Sequence, residues 1–216
     1  MQGRSHVIFG LAGAVVIDSA LHLSGAPIIG KPLPSELAPL ADIVVLKVIY
    51  YGFAGLGALV PDIDNARSTI GRRAGFVSKG IQSLAGHRTI FHSFFGLAMV
   101  GAFIWFAQYA LGLALYYRFG LHRAGEALGA LTGPGVDLSS GRGVAFVALM
   151  VGYFLHLVAD SLTLGGVPWF WPNHTRLGFP PQRKWRFRTG TWRELATVAA
   201  VCILVFLGVV SGLLVV

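Results

Sequence analysis

The residues in this chain best suited to chemistry are His156 and Asp160, which lie four positions apart in an apolar stretch. In a helix this spacing places both side chains on one face, one turn apart, and Thr163 is expected to continue the same stripe. An imidazole and a carboxylate are costly in an apolar helix unless something binds them. Both groups are common metal ligands, so the pair predicts one wall of a metal site.

The composition is typical of an integral membrane protein. Of 216 residues, 55% are hydrophobic and only 12% are charged, and 29 are glycine. The single cysteine, Cys202, lies in an apolar segment, so one chain can form neither a disulfide nor a cysteine-based zinc site. We therefore expect residues 1–216 to form one integral membrane domain.

Five segments are long and apolar enough to cross a bilayer, since each has roughly 17–25 residues. They are 7–23, 43–60, 92–117, 143–164 and 195–216. The first has no small-residue cleavage site, so it is expected to be a retained helix and not a signal peptide. The predicted fold class is all-α, a polytopic membrane helix bundle of about five transmembrane helices.

The basic residues are distributed unevenly between the two faces of this bundle. Twelve of the 17 Lys and Arg residues lie on the face that carries the N-terminus, four lie on the other face, and Lys47 lies within the second helix. Basic residues accumulate on the cytoplasmic side of membrane proteins. This distribution predicts a cytoplasmic N-terminus and an external C-terminus.

The same topology gathers further metal-ligating side chains at the cytoplasmic face. These candidates are His6, Asp62, Asp64, His87, His92, His156 and Asp160. Each short motif is weak alone: His6 is more often interfacial, and the Asp-x-Asp after Pro61 is more often a cap or turn. Their convergence on one face is what favours a metal site.

Mixed histidine and carboxylate ligands suit a divalent metal, most readily zinc, with manganese as the alternative. Asp62, His156 and Asp160 are the expected core ligands, and His6, His87 and His92 would complete sites for one or two ions. Two metal ions about 3.5–4 Å apart are common where phosphate esters are hydrolysed. His87 and His92 are five positions apart, so both point inward only if the helix breaks between them.

Neighbouring residues could serve phosphate chemistry at such a centre. Arg88 is placed to neutralise phosphate charge, and the hydroxyls of Thr89 and Ser93 could hold phosphate oxygens. For Ser93 a helix N-cap is equally well supported. Asp64 is a candidate general base that orients the attacking water, or a bridging ligand.

At these motifs the sequence resembles the YdjM-like family of bacterial inner-membrane, metal-dependent hydrolases. The matching elements are His6 with Gly10, then 57–64, 87–93, 152–163 and 166–172. They cover most of the chain in order and leave out the outer loops 24–42 and 118–142. The resemblance implies a metal-dependent hydrolase without defining its substrate.

The order of histidines and aspartates is also distantly similar to that of zinc-dependent phospholipase C and the single-strand-specific zinc nucleases. This similarity implies that His6, Asp62, one of His87 and His92, His156 and Asp160 are ligands. The sequence departs from that pattern after Asp160, where only His174 and Glu194 remain. Glu194 has a competing role, because Thr191-x-x-Glu194 is typical of a capping box.

The loop 165–194 combines aromatic and basic side chains, as expected at the headgroup level of an anionic leaflet. It is either a gate for substrate or an interfacial anchor, and nucleic acid is not an expected partner. The preferred function is hydrolysis of a phosphate ester of a lipid or membrane-proximal substrate. The alternatives are a divalent-metal transporter and a non-catalytic membrane protein with a structural metal. The oligomeric state is left open.

Overall fold

The computed structural model describes residues 1, 3–24, 40–66, 68–85, 90–119 and 141–214. In this part of the chain the regular structure is helical, with two isolated β-bridges in the loop before the last helix. The helices are α1 (Gly3–Leu23), α2 (Leu40–Gly57), α3 (Thr69–Ala74), α4 (Phe76–Ala85), α5 (Phe94–Phe119), α6 (Gly141–Ser161) and α7 (Trp192–Val210). Two short 3-10 segments matter for the site: the aspartate turn (Val60–Asp64) and the histidine turn (Ile90–His92).

The prediction of five membrane-crossing helices is confirmed. The spans long and apolar enough are Gly3–Leu23, Val44–Asp64, Phe94–Leu111, Arg142–Ser161 and Trp192–Val210. The fourth span is the central one, because 61% of it is buried inside the protein, compared with 11% for the third and the fifth. The pair that the sequence singled out therefore lies on the helix with the most neighbours.

Close contact between α2 and α6 depends on glycine. A Cβ atom added at Gly152 would lie 1.9 Å from the carbonyl oxygen of Ala54, and one added at Gly57 would lie 2.1 Å from that of Leu149. Small residues allow membrane helices to approach until their backbones touch. This packing fixes the end of α2, and with it the aspartate turn, against the last turns of α6.

Two details of the sequence interpretation are wrong. The segment 61–91, which the five predicted spans leave as a connecting loop, contains the helices α3 and α4. Thr163 does not continue the helical stripe, because α6 ends at Ser161; its hydroxyl donates to the carbonyl oxygen of Asp160 in the turn that follows.

Candidate metal centre

The structure brings six of the predicted site residues together at one end of the bundle. His6 lies on α1, Asp62 and Asp64 on the aspartate turn, His92 on the histidine turn, and His156 and Asp160 on α6. All six are buried, with exposed fractions between 0% and 7%. Buried imidazoles and carboxylates at this density need partners or a cation to offset the cost of leaving water.

The histidine turn is separated from α5 by a helix cap. The Ser93 hydroxyl accepts a hydrogen bond from the Gly96 amide at 3.0 Å and donates to the carbonyl oxygen of Ile90. Ser93 is therefore an N-cap, which is one of the two roles that the sequence left open. The Tyr153 hydroxyl donates to the Phe91 carbonyl at 2.5 Å, tying the turn to α6.

The orientation of His156 leaves one ring nitrogen available to a ligand. Its Nδ1 lies 2.7 Å from the carbonyl oxygen of Ala58, which can only accept, so Nδ1 carries the proton and donates. Nε2 then bears the lone pair and points into the cluster. A backbone partner that fixes the tautomer in this way is usual for metal-binding histidines.

His92 has a similar arrangement with a carboxylate in place of the carbonyl. Its Nδ1 lies 3.3 Å from Oδ2 of Asp64, and this negative charge favours a proton on Nδ1. The other nitrogen, Nε2, lies 3.3 Å from Nε2 of His156. Two lone pairs at that separation repel each other unless a cation, either a proton or a metal ion, lies between them.

Carboxylate oxygens add further acceptors at the same place. Oδ2 of Asp160 lies 3.7 Å from Nε2 of His92 and 4.0 Å from Nε2 of His156. Oδ1 of Asp62 lies 4.0 Å from Nε2 of His92. Around a tetrahedral ion with bonds of about 2.0–2.1 Å the ligand atoms are roughly 3.3–3.4 Å apart. The observed distances of 3.7–4.0 Å are longer than this, so binding an ion would require these atoms to move together by several tenths of an ångström.

His6 closes the cluster from α1. Its ring stacks on that of His156, with centroids 3.7 Å apart and planes inclined by 15°, and its Nε2 lies 3.3 Å from Oδ1 of Asp160. Both ring nitrogens are buried, and neither has a well-aligned hydrogen-bond partner among the described residues. A buried imidazole in that state fits a metal ligand better than a structural residue.

Two sets of three side chains can each surround an ion. One is His6, Asp62 and His156, the other is His92, His156 and Asp160, and in each set the ligand atoms lie within 4.8 Å of one another. His156 belongs to both sets but offers only Nε2, because Nδ1 is engaged by Ala58. His156 can therefore bind one ion only, and a second ion would depend on His6, Asp62 and the Asp160 carboxylate, whose Oδ1 lies 3.3 Å from Nε2 of His6.

One contact in the cluster has no signal in the sequence. The amino group of Met1 donates to Oδ1 of Asp160, and both groups are fully buried. The hydrogen bond to the Ala58 carbonyl also has no sequence signal, because every residue has a backbone carbonyl group. Tyr153 could have been found, since it lies one turn before His156 on the same helix.

Other predicted residues lie outside this cluster or outside the described residues. His87, Arg88 and Thr89 belong to the second group, so their predicted roles remain predictions. His174 is exposed in the loop before α7. Glu194 is buried and accepts from the Gly190 amide at 2.7 Å, so it does reach back over the start of α7, although the Thr191 hydroxyl donates to Arg188 and does not cap.

The loop predicted as a gate packs on a different side of α6. An apolar cavity of about 460 Å³ lies here. It is lined by Phe94 of α5, by Phe154, Val158 and Ser161 of α6, and by the loop residues Leu162, Trp169, Phe170, Leu177, Gly178 and Phe179. At 100° per residue, the α6 members of this lining lie roughly opposite His156 and Asp160. The cavity is therefore not an extension of the cluster of histidines and aspartates.

Arg186, one of the basic residues assigned to the headgroup surface, has a structural role in this loop. It donates to the carbonyl oxygens of Gly178, Pro180 and Pro181 at 2.8, 2.8 and 3.1 Å. The neighbouring Phe187 is buried, while Trp185 is 68% exposed. The loop thus combines a folded part with exposed side chains.

These features define a polytopic α-helical membrane protein with a buried cluster of histidines and aspartates at one end of its bundle. The model of the YdjM inner membrane protein family matches residues 1–215, so the chain belongs to that family.

Two curated relatives are similar to this chain. The uncharacterized protein YvsG of Bacillus subtilis is 29% identical over 158 residues, which cover 69% of this chain and 76% of the relative. The inner membrane protein YdjM of Escherichia coli is 27% identical over 182 residues, which cover 83% of this chain and 70% of the relative. No solved structure matches the chain.

Proposed function

We propose that this protein is a membrane-embedded, metal-dependent hydrolase that cleaves a phosphate ester of a lipid or another membrane-proximal substrate. The observation that carries the proposal is the convergence of Nε2 of His92, Nε2 of His156 and the Asp160 carboxylate, with separations of 3.3–4.0 Å. The distant similarity to zinc-dependent phospholipase C supports phosphate as the target. Arg88, next to the histidine turn in sequence, adds a cation suited to phosphate oxygens.

Each residue has a defined role in this proposal. His92, His156 and Asp160 hold the ion, and His6 and Asp62 lie close enough to complete its coordination or to bind a second one. A bound divalent ion, zinc in the first instance and manganese as the alternative, would polarise a phosphate oxygen and acidify water. Asp64 faces Nδ1 of His92, so we assign it to positioning that ring and not to proton abstraction from water.

The orientation of the centre is also a proposal. Basic residues are concentrated on the face where the cluster lies, which supports a cytoplasmic location for the site, for the N-terminus and for both basic loops. A substrate would then approach from the inner leaflet or from the cytoplasm.

Turnover assays on purified, metal-stripped protein test the activity. We expect cleavage of chromogenic phosphomonoesters, phosphodiesters or phospholipids after zinc or manganese is added. Asp160→Asn should reduce the rate to the level seen without metal, because the substitution removes a charged ligand. Asp18→Asn is the matched control: it neutralises another buried aspartate of the membrane spans, near the other end of α1.

Absence of ester cleavage in this assay would distinguish the proposed function from its alternatives. A folded, metal-loaded sample that cleaves none of these esters contradicts the hydrolase proposal and favours a structural metal. Uptake of the same metal into proteoliposomes, abolished by Asp160→Asn, would favour the transporter alternative.

A further inference from the structure

The helices α3 and α4 form a strongly basic surface beside the candidate metal centre. Between positions 66 and 85 the sequence contains four Lys and Arg residues and neither Asp nor Glu. The side chains of Arg72, Arg73 and Lys79 are exposed. No acidic residue of this segment neutralises these positive charges, so they are available to an anionic partner.

The position of this segment in the chain limits what that partner can be. It connects α2 to α5, two membrane-spanning helices, at the end of the bundle where the cluster lies. A segment of this kind lies at the membrane surface, where headgroups surround it. Phe76, at the start of α4, is 86% exposed, although a large aromatic side chain in water would be costly.

The combination of exposed cations and an exposed aromatic residue is typical of helices that bind anionic lipid. Lys and Arg contact phosphate headgroups while an aromatic side chain enters the boundary with the acyl chains. Acidic proteins could use the same cations, but they would not account for Phe76 next to the bilayer. Charge complementarity and position together favour lipid as the occupant.

The segment is also fastened to the turn that carries two aspartates of the centre. The Ser78 hydroxyl is buried and donates to the carbonyl oxygen of Ile63 at 2.7 Å. The Ser68 hydroxyl donates to the carbonyl oxygen of Asp62, also at 2.7 Å, and accepts from the Gly71 amide. A Cβ atom added at Gly71 would lie 1.9 Å from the Asn65 carbonyl oxygen, so the two backbones touch.

We propose that α3 and α4 bind anionic phospholipid headgroups through Arg72, Arg73 and Lys79, with Phe76 inserted into the leaflet, and that this contact holds the aspartate turn in its metal-binding position. The first part depends only on the surface of α3 and α4. The second part rests on the proposed function, because it requires a metal at the cluster. Binding of lipid and binding of metal then strengthen each other by the same factor.

The lipid contact can be measured without metal. A nitroxide attached to Phe76→Cys, in a Cys202→Ser background that has no other cysteine, reports its surroundings in nanodiscs. Adding phosphatidylglycerol to phosphatidylcholine discs should lower the collision rate of the label with a water-soluble nickel chelate severalfold and raise that with oxygen. The substitutions Arg72→Gln, Arg73→Gln and Lys79→Gln together should abolish this difference.

The matched control removes three exposed cations from the other basic loop of the same face. Arg183→Gln, Lys184→Gln and Arg188→Gln leave Arg186 and its three hydrogen bonds intact, and they should preserve the difference at position 76. Equal nickel accessibility in the two kinds of disc would overturn the lipid contact. So would an equal effect of the two triple variants.

Zinc titration in the same discs tests the coupling. Wild-type affinity should rise about fivefold or more when phosphatidylglycerol is present, and Ser78→Ala, which breaks one link to the aspartate turn, should reduce this gain. Equal zinc affinity in both discs would overturn the coupling. A protein that binds neither zinc nor manganese in either disc would contradict the proposed function and the coupling together, and the nitroxide would still decide the lipid contact.

Discussion

Asp64 and Ala58 lie against the Nδ1 atoms of the two central histidines, His92 and His156, and no sequence motif predicts these contacts. The carboxylate faces Nδ1 of His92 and the carbonyl accepts from Nδ1 of His156, so both rings present Nε2 to the same point. Such outer partners typically change metal affinity by about 10–100-fold when they are removed. The sequence predicted Asp64 as a general base or a bridging ligand, and its observed position favours a role in orienting His92.

Replacing Asp64 with asparagine, which is neutral and has the same shape, distinguishes a role in orienting His92 from a role as general base. Asp64→Asn should weaken zinc binding by about 10–100-fold, because the amide no longer favours a proton on Nδ1 of His92. The measurement is a zinc titration against a competing chelator, with Ser83→Ala, an exposed change on α4, as the control. If affinity stays the same while ester cleavage is lost, Asp64 is the general base instead.

The residues of the centre were largely accessible to sequence reasoning, for a physical reason. Polar and ionisable groups in apolar spans are rare, so His6, His156 and Asp160 stand out without any knowledge of the fold. The inward position of His92 needed the fold, because it depends on the turn just before the Ser93 cap. His87 lies outside the described residues, so its role stays a prediction. Backbone partners such as Ala58 carry no sequence signal at all.

At the scale of the helices, the position of the aspartate turn depends on how closely α2 approaches α6. Gly152 and Gly57 permit backbone contact between these helices. The turn then begins almost directly after α2, with Pro61 near its start, so a shift of α2 moves Asp62 and Asp64 together.

A single added methyl group tests this packing. Gly152→Ala should destabilise the protein by about 1–3 kcal/mol, because its Cβ would lie 1.9 Å from the Ala54 carbonyl oxygen and force the helices apart. Gly52→Ala is the control on α2, where no atom lies within 4 Å of the new Cβ. Thermal unfolding in detergent measures both. Equal melting temperatures for Gly152→Ala and wild type would contradict the tight contact.

The spans were predictable because their length and hydropathy are set by the bilayer. The connecting elements were harder. α3 and α4 have only 6 and 10 residues, and the basic, polar composition of 61–91 separates it from the spans without indicating helices. The end of α6 was placed three residues late, because Leu162, Thr163 and Leu164 are compatible with a helix; instead, hydrogen bonds between Phe187 and the backbone of Leu162 and Leu164 hold an extended turn.

At the scale of the whole molecule, the ionisable cluster lies at one end of the bundle. Most of the basic residues are predicted to lie on the same face. Neither observation alone defines which face is cytoplasmic. The positive-inside rule predicts that this face is cytoplasmic, and we therefore propose that the cluster lies at the inner leaflet.

Reporter fusions test this orientation. Alkaline phosphatase, which is active outside the cytoplasm, should be active when fused after Val216 and inactive when inserted between Gly80 and Ile81. A fluorescent protein that folds only in the cytoplasm should give the opposite pattern. A cytoplasmic reporter that is active after Val216 would contradict the proposed topology and the cytoplasmic position of the centre.

The central claim is that the cluster binds a divalent metal, and metal content is its most direct test. Purified protein should carry at least one zinc or manganese ion per chain, measured by mass spectrometry of the metal after desalting. His156→Ala should lose it, because His156 belongs to both ligand sets, and Asp160→Ala should lose most of it, because the set of His92, His156 and Asp160 then lacks its carboxylate. His22→Ala, an exposed histidine at the other end of α1, should retain it. Unchanged metal content in both cluster variants, or a wild-type protein that binds neither metal, would contradict the account.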